Sequence, residues 1–308
     1  MMTMKPYVLT QTEYVNNEEL NYPFEERGLQ FGDGVYEVVR IYDGEYYLMD
    51  EHVERLYRSA EAIKIEVPFE KAELYQKLNQ LLEMNQVTGD AKMYLQITRG
   101  SAPRDHVFPE GVVANLYAYV KDVPRKLEPM REGVSVITHP DIRWELCYIK
   151  SLNLLPNVMA KQEAKEQGSF EAILHKEGKV TECSSANAYL VKDGTIYTHP
   201  ATKNILHGCV RMRIEEFCQK LDIPFKEIPF TLEHIQEADE MFLSSSTAEV
   251  MPITQVDGEF IADGEPGVIT RLLQQAYEQD AGIPEYRSIF ETVVRPGLEE
   301  YKPHADAN

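Results

Sequence analysis

Three Asp-Gly dipeptides, each set between two short strand-like runs, restrict this chain to folds that contain antiparallel hairpins. Asp43-Gly44 lies between VVRIY and EYYLM, Asp193-Gly194 between NAYLV and TIYTH, and Asp257-Gly258 between ITQV and EFI. Asp and Gly tolerate positive φ, so the pair supplies both left-handed residues of a type I′ turn, whose twist matches that of the flanking strands. Glu177-Gly178, between EAILHK and KVTE, predicts a fourth hairpin with a looser turn. Helical periodicity is interposed. Asp50 can cap a helix that carries Val53, Leu56, Tyr57, Ala60 and Ile63 on one stripe, and residues 69–85 form a second amphipathic stretch. A third runs from Pro156 to Gln167 with Gly168 as its stop, a fourth opens after Gly208, and a fifth spans about Val268 to Gln279. Hairpins with interspersed helices predict an α+β fold.

KDVPRKLEPMREG, residues 121–133, is polar, holds two prolines and separates two strand-rich regions. It therefore reads as the linker between a smaller mixed α/β domain over 1–120 and a larger domain, rich in antiparallel strands, over 134–283. Residues 284–308 show little periodicity and form a C-terminal extension. The 51 acidic against 31 basic residues leave a formal charge of −20, which repels polyanions and argues against nucleic acid or an anionic membrane as partner. The amino terminus lacks a secretory signal, and nowhere do ~18 apolar residues follow one another, so a cytoplasmic location is expected. Cys147, Cys183, Cys209 and Cys218 form no CxxC pair, which predicts reduced thiols and no thiolate metal site.

The chemistry-bearing residues begin with Lys150, in DIRWELCYIKSLNLL. The local pattern predicts a strand end and burial. Such a lysine either runs its methylenes along an apolar wall to reach water, or is a desolvated amine whose lowered pKa makes it a nucleophile toward a carbonyl. Glu182 closes a strand in KVTECSSAN and is followed by small residues that let a ligand approach. In ILHGCVRMRIEEF, Gly208 permits a tight turn, and the first amides of the next helix point toward any anion placed there. The SSSTAE run, Ser244 to Glu249, offers further hydroxyls and amides. Arg104 and His106, two apart in TRGSAPRDHVFPEG, combine a guanidinium and an imidazole suited to a carboxylate. Tyr36 sits in a strand after two glycines.

Taken together, RGLQFGDGVYEVV, EHVERLYRSAE, TRGSAPRDHVFPE, DIRW, IKSLNLL, AKQEA, EAILHKEGKVTECSSANAY, YTHPATKNILHG and SSSTAE resemble, in the same order, the fold-type IV family of pyridoxal-phosphate aminotransferases. The likeness spans about Tyr7 to Ile283. It implies that Lys150 is the Schiff-base lysine, that Glu182 faces the pyridine nitrogen, and that Arg55, the amides of Cys209 and Val210, and the turn at Ser246 hold the phosphate. It further implies that Leu206 packs on the cofactor ring and that Tyr36, Arg104 and His106 bind the substrate carboxylate. Helical periodicity by itself places Arg55 off the Val53/Leu56/Ala60 stripe. The pattern of close relatives has glycine and three serines where this chain has Cys183, Ser184, Ser185 and Ala186, and threonine in place of Val210, so a hydroxyl to the phosphate is lost. The resemblance implies a homodimer and a ping-pong transfer of an amino group from a D-amino acid, such as D-alanine, to 2-oxoglutarate or pyruvate. Transaminases of (R)-amines or branched-chain amino acids and an aminodeoxychorismate lyase are the alternatives on the same fold.

Overall fold

The computed structural model describes residues 4–290. The described residues divide into two compact units, one formed by those up to Arg125 together with Ile149–Leu154, the other by Lys126–Tyr148 and the described residues from Leu155 onward. Six residues around Lys150 thus belong to a different unit from the sequence on either side of them.

The first unit is built on β1 (Met4–Leu9), β2 (Tyr14–Asn16), β3 (Gly34–Tyr42), β4 (Glu45–Tyr47), β5 (Ala91–Thr98) and β6 (Asn115–Asp122). They form one antiparallel sheet in the order β2-β1-β6-β5-β3-β4. Helix α1 (Arg27–Phe31) precedes β3, while α2 (Met49–Ala62) and α3 (Lys71–Met84) follow β4. Alternation along the strands puts Val35, Val39 and Ile41, Met93 and Leu95, and Leu116 and Ala118 into one core with Val53, Leu56 and Ala60 of α2 and Leu74 and Leu78 of α3. Glu37 has the same parity as Val35 and Val39, so a carboxylate enters the face that the helices cover. Asp50 is the second residue of α2 rather than its cap; the cap is Leu48, in the left-handed region at φ 58°.

The second unit begins with α4 (Leu127–Glu132) and continues through β7 (Val134–Pro140), α5 (Leu155–Glu166), β8 (Glu171–Lys176), β9 (Lys179–Cys183), β10 (Asn187–Lys192) and β11 (Thr195–Thr198). It is completed by α6 (Cys209–Lys220), β12 (Phe225–Lys226), α7 (Leu232–Gln236), β13 (Glu240–Ser245), β14 (Glu249–Val256), β15 (Glu259–Phe260) and α8 (Val268–Asp280). Its sheet runs β12-β11-β10-β13-β14-β7-β8-β9, with β15 beside β14. Most pairs are antiparallel, but β7 lies parallel to both β14 and β8, and β12 lies parallel to β11. Ala160 and Ala164 seat α5 on Ile137, Ala172 and Leu174. Of the stretch expected as a linker, Lys121 and Asp122 complete β6 and Leu127–Glu132 is helical. The extension carries a 3-10 turn at Glu285–Arg287, and Ile289 is buried in the core of this unit; residues 291–308 lie outside the described residues.

All four expected hairpins are present, each with a two-residue loop. Both loop residues take positive φ in every one, including Glu177 (52°) and Gly178 (78°). That fourth turn is therefore as tight as the Asp-Gly turns, because the twist of β8 and β9 demands the same geometry whichever residue precedes the glycine.

Candidate active site

Lys150 lies in irregular backbone, not at a strand end, and of the apolar residues before it Ile149 is buried while Trp144, Leu146 and Tyr148 are each about two-fifths exposed. Its position is fixed by hydrogen bonds from the first unit. The Tyr36 amide donates to the Lys150 carbonyl at 3.0 Å, the Leu152 amide to the Gly34 carbonyl at 3.0 Å, and the Lys150 amide to Ser59 Oγ of α2 at 3.2 Å. A Cβ on Gly34 would lie 2.8 Å from Leu152 Cδ1 and 2.7 Å from the Ile97 carbonyl, so only glycine lets this segment close on β3. Lys150 Nζ then stands over the Tyr36 ring, 4.3 Å from its centre, and donates to the phenol oxygen at 3.3 Å.

On the core face of the same unit, Glu37 binds Arg55 through two parallel bonds, Nε to Oε1 at 2.7 Å and Nη2 to Oε2 at 2.8 Å. His52 Nδ1 is 2.7 Å from the same carboxylate. Periodicity places Arg55 away from the apolar stripe, yet it is only 5% exposed, because Glu37 lies within the core to receive it. Burial acts to raise the Glu37 carboxyl, but the charges and hydrogen bonds of Arg55 and His52 outweigh it and hold that carboxyl far below the usual carboxylate range. His52, Arg55 and Ser59 follow one another at i, i+3 and i+7, a polar stripe buried beside the apolar one.

In the second unit Glu182 is buried in β9. Its Oε1 accepts from Arg143 Nη1 at 2.5 Å and from the Leu206 amide at 3.0 Å, and its Oε2 accepts from Asn187 Nδ2 at 3.0 Å. Burial pushes the Glu182 carboxyl above the usual range, against the opposing pull of Arg143 and the Leu206 amide. Asn187 also donates to the Leu206 carbonyl at 2.9 Å, so one side chain ties β10 to the 204–208 loop and to Glu182. Gly208, at the start of α6, has φ −67° and ψ 138°, which any residue adopts. The glycine is needed for space rather than for a tight turn: a Cβ there would overlap Asn187 Oδ1. No side chain caps α6, so the amides of Cys209 and Val210 face its amino end. Ser246 is in the turn from β13 to β14. Glu171 accepts from Ser184 and from Ser185 (2.6 Å) and pairs with Lys161 (2.9 Å), which anchors the turn after Glu182.

Arg104 and His106 are exposed and gather on one ring: the Arg104 guanidinium is 4.9 Å from the centre of Phe31, and the His106 ring is 5.6 Å from it. Their loop is pinned from below. Asp33 pairs with Arg27 and Arg99 at 2.8 Å each; Arg27 donates to the Asp105 carbonyl at 2.7 Å, and Arg99 lies 3.6 Å from the centre of Phe108. Neither Arg104 nor His106 is hydrogen-bonded to Tyr36 or Lys150 among the described residues.

Sequence reasoning assigned no role to Glu37, His52, Arg143 or Asn187. A readable signal existed for one of them, since an acidic residue at a core-facing position of β3 requires a buried cation opposite. For Asn187 and Arg143 there was none, because what gives each its role is a bond made across the fold, from Asn187 to the Leu206 carbonyl and from Arg143 to Glu182, that no local period records. Taken separately, each unit holds donors that suit part of a phosphate-bearing pyridine aldehyde. The chain holds an amine beside a phenol, a buried arginine, and a helix start that no side chain caps. Among the described residues, Oε2 of the buried Glu182 accepts one hydrogen bond, from Asn187, which leaves a lone pair for a ring N–H.

The profile of the amino-transferase class IV family matches residues 34–256. D-Alanine aminotransferase of Bacillus licheniformis is 45% identical over 271 residues, 88% of this chain and 95% of that protein. The enzyme of the same name from Listeria monocytogenes serotype 1/2a is 46% identical over 280 residues, 89% and 95% of the two chains. Among solved structures, a branched-chain amino acid aminotransferase of Escherichia coli superposes with a TM-score of 0.84 at 26% identity, covering 89% of this chain and 94% of that one. A T.th. branched-chain amino acid aminotransferase solved with pyridoxamine 5′-phosphate gives the same TM-score, 0.84, at 24% identity over 93% and 97% of the two chains, which speaks to the fold.

Proposed function

The chain belongs to the class IV aminotransferases, and from that premise we propose that it transfers the amino group of a D-amino acid such as D-alanine to a 2-oxo acid, 2-oxoglutarate or pyruvate, in a ping-pong cycle. Its cofactor is pyridoxal 5′-phosphate, which supplies a carbonyl carbon that accepts the donor's amine and a ring that withdraws electrons from the substrate's Cα. Lys150 is the amine that carries the cofactor, and Glu182 holds its pyridine nitrogen. Arg55, the amides of Cys209 and Val210, and Ser246 hold its phosphate, and Leu206 packs on its ring. Val210 contributes an amide without a hydroxyl, so the phosphate depends more on backbone and on Arg55.

The observation that carries this reading is the pairing of Lys150 Nζ with the Tyr36 phenol at 3.3 Å, which sets a nucleophilic amine against a residue expected to bind the substrate carboxylate. In the first half-reaction Lys150 Nζ would take the proton from the donor's Cα and deliver it to the former carbonyl carbon of the cofactor, and in the second half it would carry a proton from that carbon to the acceptor's Cα, while Tyr36 orients that amine through its hydroxyl. Arg104 and His106 bind the α-carboxylate common to donor and acceptor, which fixes the face of Cα that meets the base. The likeness to D-alanine aminotransferases at 45–46% identity, against 26% for a branched-chain enzyme, favours D-amino acids.

We further place the enzyme in the cytoplasm as a homodimer. No helix among the described residues is long and apolar enough to cross a membrane. Borohydride treatment followed by mass spectrometry tests the central assignment: the reduced cofactor is expected on Lys150, and a label on any other lysine overturns it. A panel of D- and L-amino acids and (R)-amines with both acceptors tests the substrate class, with turnover expected for the D-amino acids and loss of D-alanine turnover in Arg104→Leu.

A further inference from the structure

A buried glutamate keeps its charge only where a cation and hydrogen-bond donors are held against it, because desolvation disfavours the ionised form. Three donors meet Glu182, and of these Arg143 alone brings a charge. Arg143 is itself locked. Asp141 Oδ1 accepts its Nε at 2.9 Å and its backbone amide at 3.1 Å, and Oδ2 accepts Nη2 at 2.8 Å. Thr181, the neighbour of Glu182 in β9, donates to the same Oδ2 at 2.7 Å. A guanidinium has five N–H donors in a rigid fork, and Asp141 grips the side that leaves Nη1 aimed at Glu182.

We propose that Arg143 is the positioning residue that keeps Glu182 ionised, and that Asp141 acts by locking Arg143 in that pose. The proposal rests on the assignment of Glu182 to the cofactor's pyridine nitrogen. Of the charged groups acting on Glu182, Arg143 favours the ionised form and Asp141 opposes it. The thiols of Cys147 and Cys183 lie within electrostatic reach of Glu182, with Lys176 and Lys161 acting on them in turn, and His199 is within reach of Asp141 and Arg143. Burial raises both thiols, so neither competes as an anion at neutral pH. Without Arg143, burial stands unopposed by any charge, and Glu182 takes up a proton. A neutral carboxyl no longer holds a positive ring nitrogen.

The test compares wild type, R143M, R143K, D141N and E182Q as holoenzymes loaded with cofactor labelled with ¹⁵N in the ring, read by NMR from pH 6 to 9 alongside kcat. The wild-type nitrogen is expected to be protonated throughout. In R143M it loses the proton and kcat falls about tenfold to a hundredfold, the range expected for losing a charged hydrogen bond. R143K restores most of both, and D141N lies between. Borohydride labelling of Lys150 stays intact in all of them. If R143M keeps the wild-type nitrogen signal while E182Q loses it, the role of Arg143 is overturned and that of Glu182 stands. If E182Q also keeps it, both fall. Should R143M not fold, D141N decides, and an unchanged signal and kcat there overturn the proposal.

Discussion

Arg55 cannot keep its charge in the interior of the first unit without Glu37, and Glu37 cannot keep its own without Arg55 and His52. Breaking such a buried pair from one side typically costs about 3–5 kcal/mol, because the remaining charge is stranded. Glu37→Gln is therefore expected to lower stability by about that much at pH 7, measured by urea unfolding. The sign of its pH dependence follows from the depressed carboxyl. The stabilisation is fully present above the unfolded carboxylate value of about 4.3 and is lost as pH falls from there toward the lower folded value. The gap between the two proteins should be flat from pH 8 to 5 and narrow below pH 4; a gap that widens on acidification would mean that Glu37 is not held as an anion. This residue also shows what periodicity could not deliver. A stripe argument counts apolar residues, and α2 buries a second stripe of His52, Arg55 and Ser59 that is polar because it faces Glu37 and Lys150. The charge of Glu37 among Val35, Val39 and Ile41 was the legible clue to it.

At the scale of elements, legibility followed where the backbone finds its partners. The hairpins were readable because an Asp-Gly or Glu-Gly pair and its flanking strands satisfy one another locally. The segment from Asp141 to Leu154 was not, because beside a few bonds within itself its backbone is tied to His175, to Lys203, to β3 and to α2, all distant in sequence, so it needs no period of its own. The start of α6 is the same kind of case: Gly208 reads as a turn glycine, and the structure makes it a space-giving one under Asn187. Gly208→Ala is thus expected to cost about 1–3 kcal/mol, the usual range for overpacking. A double-mutant cycle separates this from a backbone effect. Asn187→Ala removes the clashing oxygen, so the double variant should lose less than the two singles summed, by thermal or urea unfolding. Losses that add to within about 0.5 kcal/mol would show that Asn187 is not what requires the glycine.

For the whole molecule, two properties oppose each other in self-association. Large apolar side chains stand exposed in both units, among them Phe24, Leu29 and Val107 in the first and Ile142, Leu155 and Val158 in the second, each more than half exposed. Covering them in a second copy would gain about 25 cal/mol for every Å² removed from water. Against this, each chain carries a formal charge of −20, so two copies repel over the screening length, about 8 Å at 0.15 M salt and about 30 Å at 0.01 M. The apolar term hardly changes with salt over that range, whereas the repulsion grows steeply as salt is removed. Sedimentation velocity should then show a dimer at micromolar concentration in 0.15 M NaCl and a dissociation constant roughly tenfold weaker in 0.01 M, a change of about 1.4 kcal/mol. A dimer that tightens as salt is removed would mean that complementary charges, not apolar contact, hold the interface. A monomer at both salts would remove the homodimer from the proposal and leave the exposed apolar side chains to be explained by another partner.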